Sequence, residues 1–189
     1  EAEREAWLAR LPATDADLHD GLAASDAERL MRSRYSAYFF GRIDYLINNA
    51  GLGDYGTFID SDWSKLETMM RVNMEALTHL THLVLPHMIA QAHGRIMNIS
   101  SLASILPIPD FAVYAATKAF VSSFSEALRI ELREHQISVL AVCPGPVHTE
   151  FGKVAARTEG VEMHGMREAF YVEKEQVVAE SIAAMDADR

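Results

Sequence analysis

Residues 43–56, IDYLINNAGLGDYG, join an apolar segment to a loop of small and polar residues. The first six residues have the length and the apolar character of a buried strand. Gly51, Gly53 and Gly56 then give the spacing GxGxxG, which surrounds a pyrophosphate in dinucleotide-binding proteins. The fold and the ligand of this loop therefore depend on the residues after Gly56.

A pyrophosphate site would require a helix that begins inside the glycine loop, so that the N-terminal amides of the helix face the phosphates. It would also require an acidic residue about 20 positions later, at the end of the next strand. The sequence TFIDSDWSKL after Gly56 delays the helix to about residues 60–62 and places position 75 inside it. We therefore expect no pyrophosphate here, but a sharp turn over 48–51 whose small residues let a ligand approach the backbone.

Helices and strands alternate along the rest of the chain. Apolar residues recur at helical spacing over three segments, 26–40, 62–92 and 112–134, and a final helix is predicted over 173–185. Short apolar strands follow the first three helices, at 43–48, 95–100 and 137–143. Pro86 predicts a bend in the second helix. The alternation predicts an α/β fold with a parallel sheet that is covered by helices on both faces.

The ligand of such a sheet binds beyond the carboxyl ends of the strands, so the loops after residues 48, 100 and 143 should converge. A net charge of −10 disfavours nucleic acid and favours a small molecule. The one cysteine, Cys143, allows no internal disulfide and is expected to be a buried thiol in a reducing compartment. With neither a spanning apolar run nor a signal-peptide pattern, we expect a cytoplasmic protein with no membrane partner.

Four polar residues stand near the predicted strand ends, at separations of 28, 13 and 4 residues: Asn73, Ser101, Tyr114 and Lys118. The last two share one helix face because they are four residues apart. Lowering the pKa of a phenol from 10 to about 7 requires roughly 4 kcal/mol. An ammonium group about 5 Å away contributes about 3 kcal/mol at an effective dielectric of ~20. The pair thus predicts an activated tyrosine.

Five motifs occur in the same order and spacing as in the short-chain dehydrogenase/reductase family, which this sequence resembles. They are NNAG (48–51), the Asn in RVNMEAL (71–77), NISS (98–101), YAATK (114–118) and PGPVHT (144–149). The resemblance is close over about 41–152 and looser over 153–189. It implies a Rossmann-like doubly wound parallel sheet and an enzyme that interconverts a carbonyl and an alcohol by hydride transfer. The implied cofactor is NADP or NAD, with NADP slightly preferred.

The resemblance also assigns roles to the four polar residues. Tyr114 would be the general acid that protonates the carbonyl oxygen, and the base in the reverse direction. Ser101 would hold that oxygen, and Lys118 would bind the nicotinamide ribose. Asn73 would position a water that connects Lys118 with solvent, and an oxidised nicotinamide would complete the activation of Tyr114.

Further residues would contact the cofactor or the substrate by the same resemblance. The expected cofactor-binding residues are Asn49, Ala50 and Gly51 on the adenosine side, and Pro144, Gly145, Val147 and Thr149 on the nicotinamide side. Residues 150–172 would form the substrate-binding loop. Its candidate apolar wall is Phe151, Met163, Met166 and Phe170. Homodimers or homotetramers would form through the helices at 62–92 and 111–135.

The N-terminal segment departs from the family pattern. Family members open with a strand and a TGxxxGxG loop, whereas residues 1–40 contain one glycine, Gly21. LMRSRYSAY (30–38) is similar to a segment of small bacterial proteins that carry SEC-C motifs. We therefore expect an N-terminally truncated or rearranged family member, with a partial Rossmann-like domain at 41–189. The atypical segment at 1–40 would be either a foreign join or a rearranged segment.

Three other interpretations remain open at this point. A non-catalytic fragment or interaction protein would keep the fold without binding a dinucleotide productively. A serine hydrolase is disfavoured because Ser100 and Ser101 lie outside a GxSxG motif. A metal site is disfavoured because the histidines lack HExxH spacing or a cysteine partner; they are His79, His82, His87 and His93.

Overall fold

The computed structural model of this protein describes residues 43–157 and 171–187. Several predictions lie outside these residues. They are the helix at 26–40, the domain boundary near residue 40, and the roles of Met163, Met166 and Phe170.

Three parallel strands form the sheet of the described residues. They are β1 (Tyr45–Asn48), β2 (Gly94–Ile99) and β3 (Ile137–Val142), in the spatial order β1-β2-β3. Tyr45 pairs with Arg95, and Gly94 pairs with Ile137. Parallel neighbours need a crossover connection, and helices lie between the strands in the chain. The predicted Rossmann-like α/β arrangement is confirmed.

The predicted second helix is divided into three parts. Helix α1 (Trp63–Met70) is followed by a π-helical segment (Arg71–Ala76) and by α2 (Leu77–Gln91). Helix α2 is not interrupted at Pro86 and continues to Gln91, and the bend predicted there stays a prediction. The irregularity lies at residues 71–76, where the wider π turn inserts a residue that a simple 3.6-residue pattern does not predict.

The remaining helices are α3 (Ala112–Glu131), the short α4 (Phe151–Ala155) and α5 (Lys174–Asp186). Two of them, α3 and α5, agree with predicted positions, whereas α4 lies at the start of the segment predicted as a loop. Single 3-10 turns occur at Phe58–Asp60, Leu102–Ser104 and Arg133–His135. The buried residues of α3 recur every three or four positions, so one stripe of this helix packs into the protein.

Buried amide side chains join the sheet to two helices. Asn48 on β1 donates hydrogen bonds to Asn98 Oδ1 on β2 (2.8 Å) and to Thr81 Oγ1 on α2 (3.2 Å). Asn98 in turn donates to Ser125 Oγ on α3 (2.8 Å). Asn48 and Asn98 are register partners, so their side chains share one face of the sheet. Helices α2 and α3 therefore pack on the same face.

Helix α5 lies against the opposite face. Its Asp186 accepts hydrogen bonds from the Tyr45 hydroxyl (3.1 Å) and from Arg95 (2.5 Å). Tyr45 is three positions from Asn48, and side chains alternate between faces along a strand. The sheet thus carries helices on both faces, as the sequence predicts. Among the described helices, none combines the length and the apolar character that a membrane span requires.

We expect Ser125→Ala to lower the free energy of unfolding by about 1–3 kcal/mol, because the buried amide of Asn98 would lose its acceptor. Ser123→Ala is the matched control, since Ser123 lies on the same helix and takes no part in the buried amide contacts. Urea denaturation of both variants measures the difference. Equal free energies of unfolding for the two variants would contradict the proposed contribution of the buried amides to stability.

Candidate active site

The loops that follow the three strands meet at the carboxyl end of the sheet. Ser100 N donates to Val142 O, and Leu102 N donates to Pro144 O, both at 2.8 Å. Lys118 Nζ on α3 donates to Ile99 O at the end of β2, also at 2.8 Å. The site is therefore assembled by the strand ends and by the first turns of α3.

Asn73 lies in the π-helical segment and is buried. Its Oδ1 accepts from Leu52 N (2.8 Å), and its Nδ2 donates to Leu52 O (2.9 Å) and to Thr117 Oγ1 (3.0 Å). Thr117 Oγ1 donates to Tyr114 O (2.8 Å). Asn73 thus joins the loop after β1 to the helix that carries Tyr114 and Lys118.

Tyr114 is buried in an aromatic cluster. Its ring centroid lies 5.3 Å from that of Phe111 and 5.4 Å from that of Phe151. Burial raises the pKa of Tyr114 above its usual value of 10, and a hydrogen bond with Ser101 opposes this shift. The surrounding side chains therefore keep the phenol protonated, and the lowering expected from Lys118 alone does not occur. A net lowering would need positive charge beyond that of Lys118.

Lys118 lies beside Tyr114, with Nζ 5.8 Å from the centroid of the phenol ring. Burial lowers the pKa of Lys118 from 10.5 to about 8, and the electrostatic interaction with Cys143 opposes this shift. Desolvation disfavours the charged ammonium, so the lysine titrates close to neutral pH. The hydrogen bond to Ile99 O uses one of the three donors of the ammonium group.

The two serines of NISS have different surroundings. Ser100 is buried, and its hydroxyl donates to Lys118 O (2.8 Å) and lies 2.7 Å from Ser122 Oγ. Ser101 is partly exposed, and its Oγ accepts from Ala103 N (3.1 Å). Ser100 thus fixes the backbone of α3, whereas Ser101 presents its hydroxyl to Tyr114.

The turn after β1 brings small residues next to Lys118. Asn49 and Ala50 are exposed, while Asn48 is buried among the amides described above. A methyl group added at Gly51 would lie 3.3 Å from Lys118 Nζ and 3.6 Å from Asn73 Oδ1. The accessible part of the turn is therefore residues 49–51, and it borders the site.

Gly53 and Gly56 face side chains from a distant part of the chain. A methyl group at Gly53 would lie 2.5 Å from Phe151 Cζ, so only a glycine leaves room for that ring. Gly56 has φ 150°, and a methyl group there would lie 2.8 Å from the Arg157 guanidinium. The GxGxxG spacing is explained by these contacts, and α1 begins only after Asp62, whose carboxylate accepts from Ser64 N.

The PGPVHT segment runs along the same edge. Val147 pairs with Val172, through bonds from Val172 N to Pro146 O (3.0 Å) and from His148 N to Val172 O (3.2 Å). These bonds use backbone groups on either side of Val147. A methyl group at Gly145 would meet no atom within 4 Å. Thr149 Oγ1 accepts from Phe151 N (3.3 Å) at the start of α4.

Several features of the site do not follow from the sequence patterns. Cys143 is exposed, and the prediction of a buried thiol is wrong because β3 ends at Val142. Thr117 links Asn73 to α3, and no motif marks it. The buried Asp54 and its partner Arg157 were missed because 103 residues separate them. In the described part of the chain, no three His, Cys, Asp or Glu side chains are placed to hold a metal ion.

Residues 8–160 match the sequence family of short chain dehydrogenases. The chain belongs to the short-chain dehydrogenase family. Its similarity to oxidoreductase UcpA of Escherichia coli strain K12 is 34% identity over 154 residues, which cover 81% of this chain and 57% of that protein. The chain thus spans little more than half the length of this family member.

Solved structures of family members have the same fold. A short-chain dehydrogenase from Sphingobium yanoikuyae in complex with NADPH superposes with a TM-score of 0.74 at 31% identity, covering 88% of this chain and 60% of that one. A 3-ketoacyl-(acyl-carrier-protein) reductase from Brucella melitensis complexed with NADH gives a TM-score of 0.64 at 27% identity. That match covers 70% of this chain and 56% of the reductase.

The lowered pKa of Lys118 predicts a pH dependence of stability. Between pH 8 and 10.5 the unfolded chain binds more protons at this lysine than the folded chain does, so stability should rise with pH. The shift corresponds to about 3 kcal/mol at most. Lys118→Met should remove this rise, whereas Lys153→Met, which changes an exposed lysine, should keep it. Urea denaturation at pH values of about 7.5 and 9.5 tests this, and an equal rise in both variants would refute it.

Proposed function

We propose that this chain forms part of an oxidoreductase that interconverts a carbonyl compound and an alcohol by hydride transfer with NADP or NAD. One observation carries the proposal. Tyr114, Lys118, Ser101 and Asn73 meet at the carboxyl end of the sheet, in a chain that belongs to the short-chain dehydrogenase family. The substrate class proposed is a small carbonyl compound or alcohol.

The residues around the site are compatible with a nicotinamide dinucleotide. Backbone of small residues at 49–51 borders the Lys118 ammonium, and Gly145 has open space where a side chain would stand. Two donors of Lys118 remain beyond its bond to Ile99 O and suit ribose hydroxyl groups. The amide and carbonyl of Val147 suit a carboxamide, and Thr149 would help to hold it.

In the proposed reaction the protein handles the proton, and a bound nicotinamide dinucleotide supplies or accepts the hydride. The Tyr114 phenol is protonated at neutral pH, so it can donate its proton to a carbonyl oxygen in the reduction. Ser101 donates a second hydrogen bond to the same oxygen. Lys118 stabilises the phenolate that forms, and Asn73 orders the backbone and a water next to Lys118.

Two further proposals concern the cofactor and the assembly. NADP is slightly preferred over NAD on the family resemblance, and the relatives above were solved with NADPH and with NADH. Self-association is proposed through α2 and α3. On α3, Phe120 stacks on Phe124 with ring centroids 5.8 Å apart, and Phe120 and Ile130 are exposed.

Titration of NADPH and NADH into the 189-residue chain, followed by nicotinamide fluorescence, tests the function. We expect weak or no binding to this chain alone, and saturable binding once a TGxxxGxG-bearing N-terminal segment is supplied. Lys118→Ala should abolish that binding, because the ribose hydroxyls lose their donor. Lys153→Ala is the control, since Lys153 is an exposed lysine on α4. If neither dinucleotide binds, even with a TGxxxGxG-bearing N-terminal segment supplied, the proposed function is wrong and a non-catalytic role remains.

Gly145→Ala tests the position of the nicotinamide side. The added methyl group meets no protein atom within 4 Å, so the melting temperature should not change. If the cofactor packs against this residue, its affinity should fall about tenfold, which corresponds to ~1.4 kcal/mol. Thermal unfolding and the same fluorescence titration give both quantities. An unchanged affinity would show that the cofactor does not pack against Gly145.

A further inference from the structure

The described residues contain a buried ion pair that the proposed chemistry does not use. The side chain of Asp54 is only 3% exposed and lies in the loop after β1. Arg157 donates two hydrogen bonds to the Asp54 carboxylate, from Nε to Oδ1 at 3.0 Å and from Nη2 to Oδ2 at 2.5 Å. Lys65 Nζ on α1 lies 3.1 Å from Asp54 Oδ1. A buried carboxylate with two cationic partners is costly to disrupt.

The guanidinium of Arg157 also organises the loop around Asp54. It donates to Thr57 O (2.8 Å), Gly56 O (3.4 Å) and Ser61 Oγ (2.6 Å). A side chain at Gly56 would collide with the guanidinium, and the positive φ of this residue also favours glycine. The hydrogen bonds from Arg157 hold the pKa of the Asp54 carboxyl below its usual value, against the effect of burial.

Backbone contacts extend this connection to α4. Tyr55 N donates to Ala155 O (2.9 Å), and Tyr55 and Ala156 form a parallel bridge. Lys65 Nζ also donates to Ala155 O (3.4 Å). Helix α4 is therefore fixed at its carboxyl end by the loop that follows β1.

The other end of α4 carries Phe151, whose ring lies 5.4 Å from the ring of Tyr114. Gly53, next to Asp54 in the loop, leaves the space that the Phe151 ring occupies. The same loop thus contacts both ends of α4. The ion pair of Asp54 with Arg157 holds the carboxyl end, and Gly53 leaves room for Phe151 at the amino end.

We infer that Asp54 and Arg157 are positioning residues that hold α4 so that the Phe151 ring covers Tyr114. In this position the Phe151 ring would limit the size of the carbonyl substituents that can approach the phenol of Tyr114. This inference deepens the proposed function and rests on it for the substrate, but the placement of Phe151 can be measured without any reaction. Asp54 and Arg157 act through Phe151 and do not contact the reacting atoms.

The placement is tested by the NMR shift of the Tyr114 ring protons, which the ring current of Phe151 alters. The Tyr114 signal is assigned by its loss in Tyr114→Phe. Asp54→Asn should move the signal in the same direction as Phe151→Ala, because the amide keeps the shape of the carboxylate but loses the charge that holds Arg157. Exchange of the Tyr55 amide, which donates to Ala155 O, should become about tenfold faster.

A double-mutant cycle separates positioning from general destabilisation. Adding Asp54→Asn to Phe151→Ala should leave the Tyr114 signal where Phe151→Ala alone puts it. Glu150→Gln is the matched control, because it breaks an ion pair with Lys153 on the same helix, where both side chains are 77% exposed. It should change neither the shift nor the exchange rate. An unmoved Tyr114 signal in Asp54→Asn, or additive shifts in the double variant, would overturn the inference.

The substrate consequence is measured as a ratio of kcat/KM for an aryl ketone to that for acetone. We expect Phe151→Ala and Asp54→Asn each to raise this ratio, by about tenfold in the former. No gain in the ratio, despite the shifted Tyr114 signal, would overturn the role in specificity. A chain that binds no dinucleotide even with the TGxxxGxG-bearing segment supplied, but shows the shifted signal, would refute the proposed function and leave the positioning of Phe151 established.

Discussion

Two amide side chains, those of Asn48 and Asn98, lie in the interior where an unpaired donor would cost about 1–3 kcal/mol. Their partners belong to different elements, so the hydrogen bonds can all form in only one arrangement of β1, β2, α2 and α3. Asn73 lies in the π-helical segment just before α2, and Tyr114 and Lys118 lie on α3. The distances in the candidate site are therefore set in part by polar contacts between the elements that carry it.

The environment of the site shifts the pKa values of two groups in opposite directions. Burial raises the pKa of Tyr114 and lowers that of Lys118, since each group is disfavoured in its charged form. Burial therefore favours the neutral form of both groups, and Lys118 titrates near pH 8.

The sequence predicted the regular elements well because their signals are local. The stripe of α3 and the apolar runs of the three strands recur within a few residues, and the structure confirms them. The family was also predicted from ordered motifs and is confirmed. The prediction of a buried Cys143 was wrong, because burial there depends on neighbours from other elements. The pairing of Asp54 with Arg157 joins residues too distant for any local pattern to relate them. The roles of the site residues remain proposals, since the orientation of Ser101 at the end of β2 or of Thr117 on α3 is not contained in a one-dimensional pattern.

The room that Gly53 leaves for the ring of Phe151 has an evolutionary consequence. A larger residue at position 53 would require the ring of Phe151 to shift or the residue at position 151 to become smaller, so the two positions should vary together among proteins that share this loop. The glycine spacing that resembles a nucleotide signature would then record a steric fit between two segments that are distant in the chain. Searches that weigh such glycines without their partners would assign a phosphate to a space that an aromatic ring already fills.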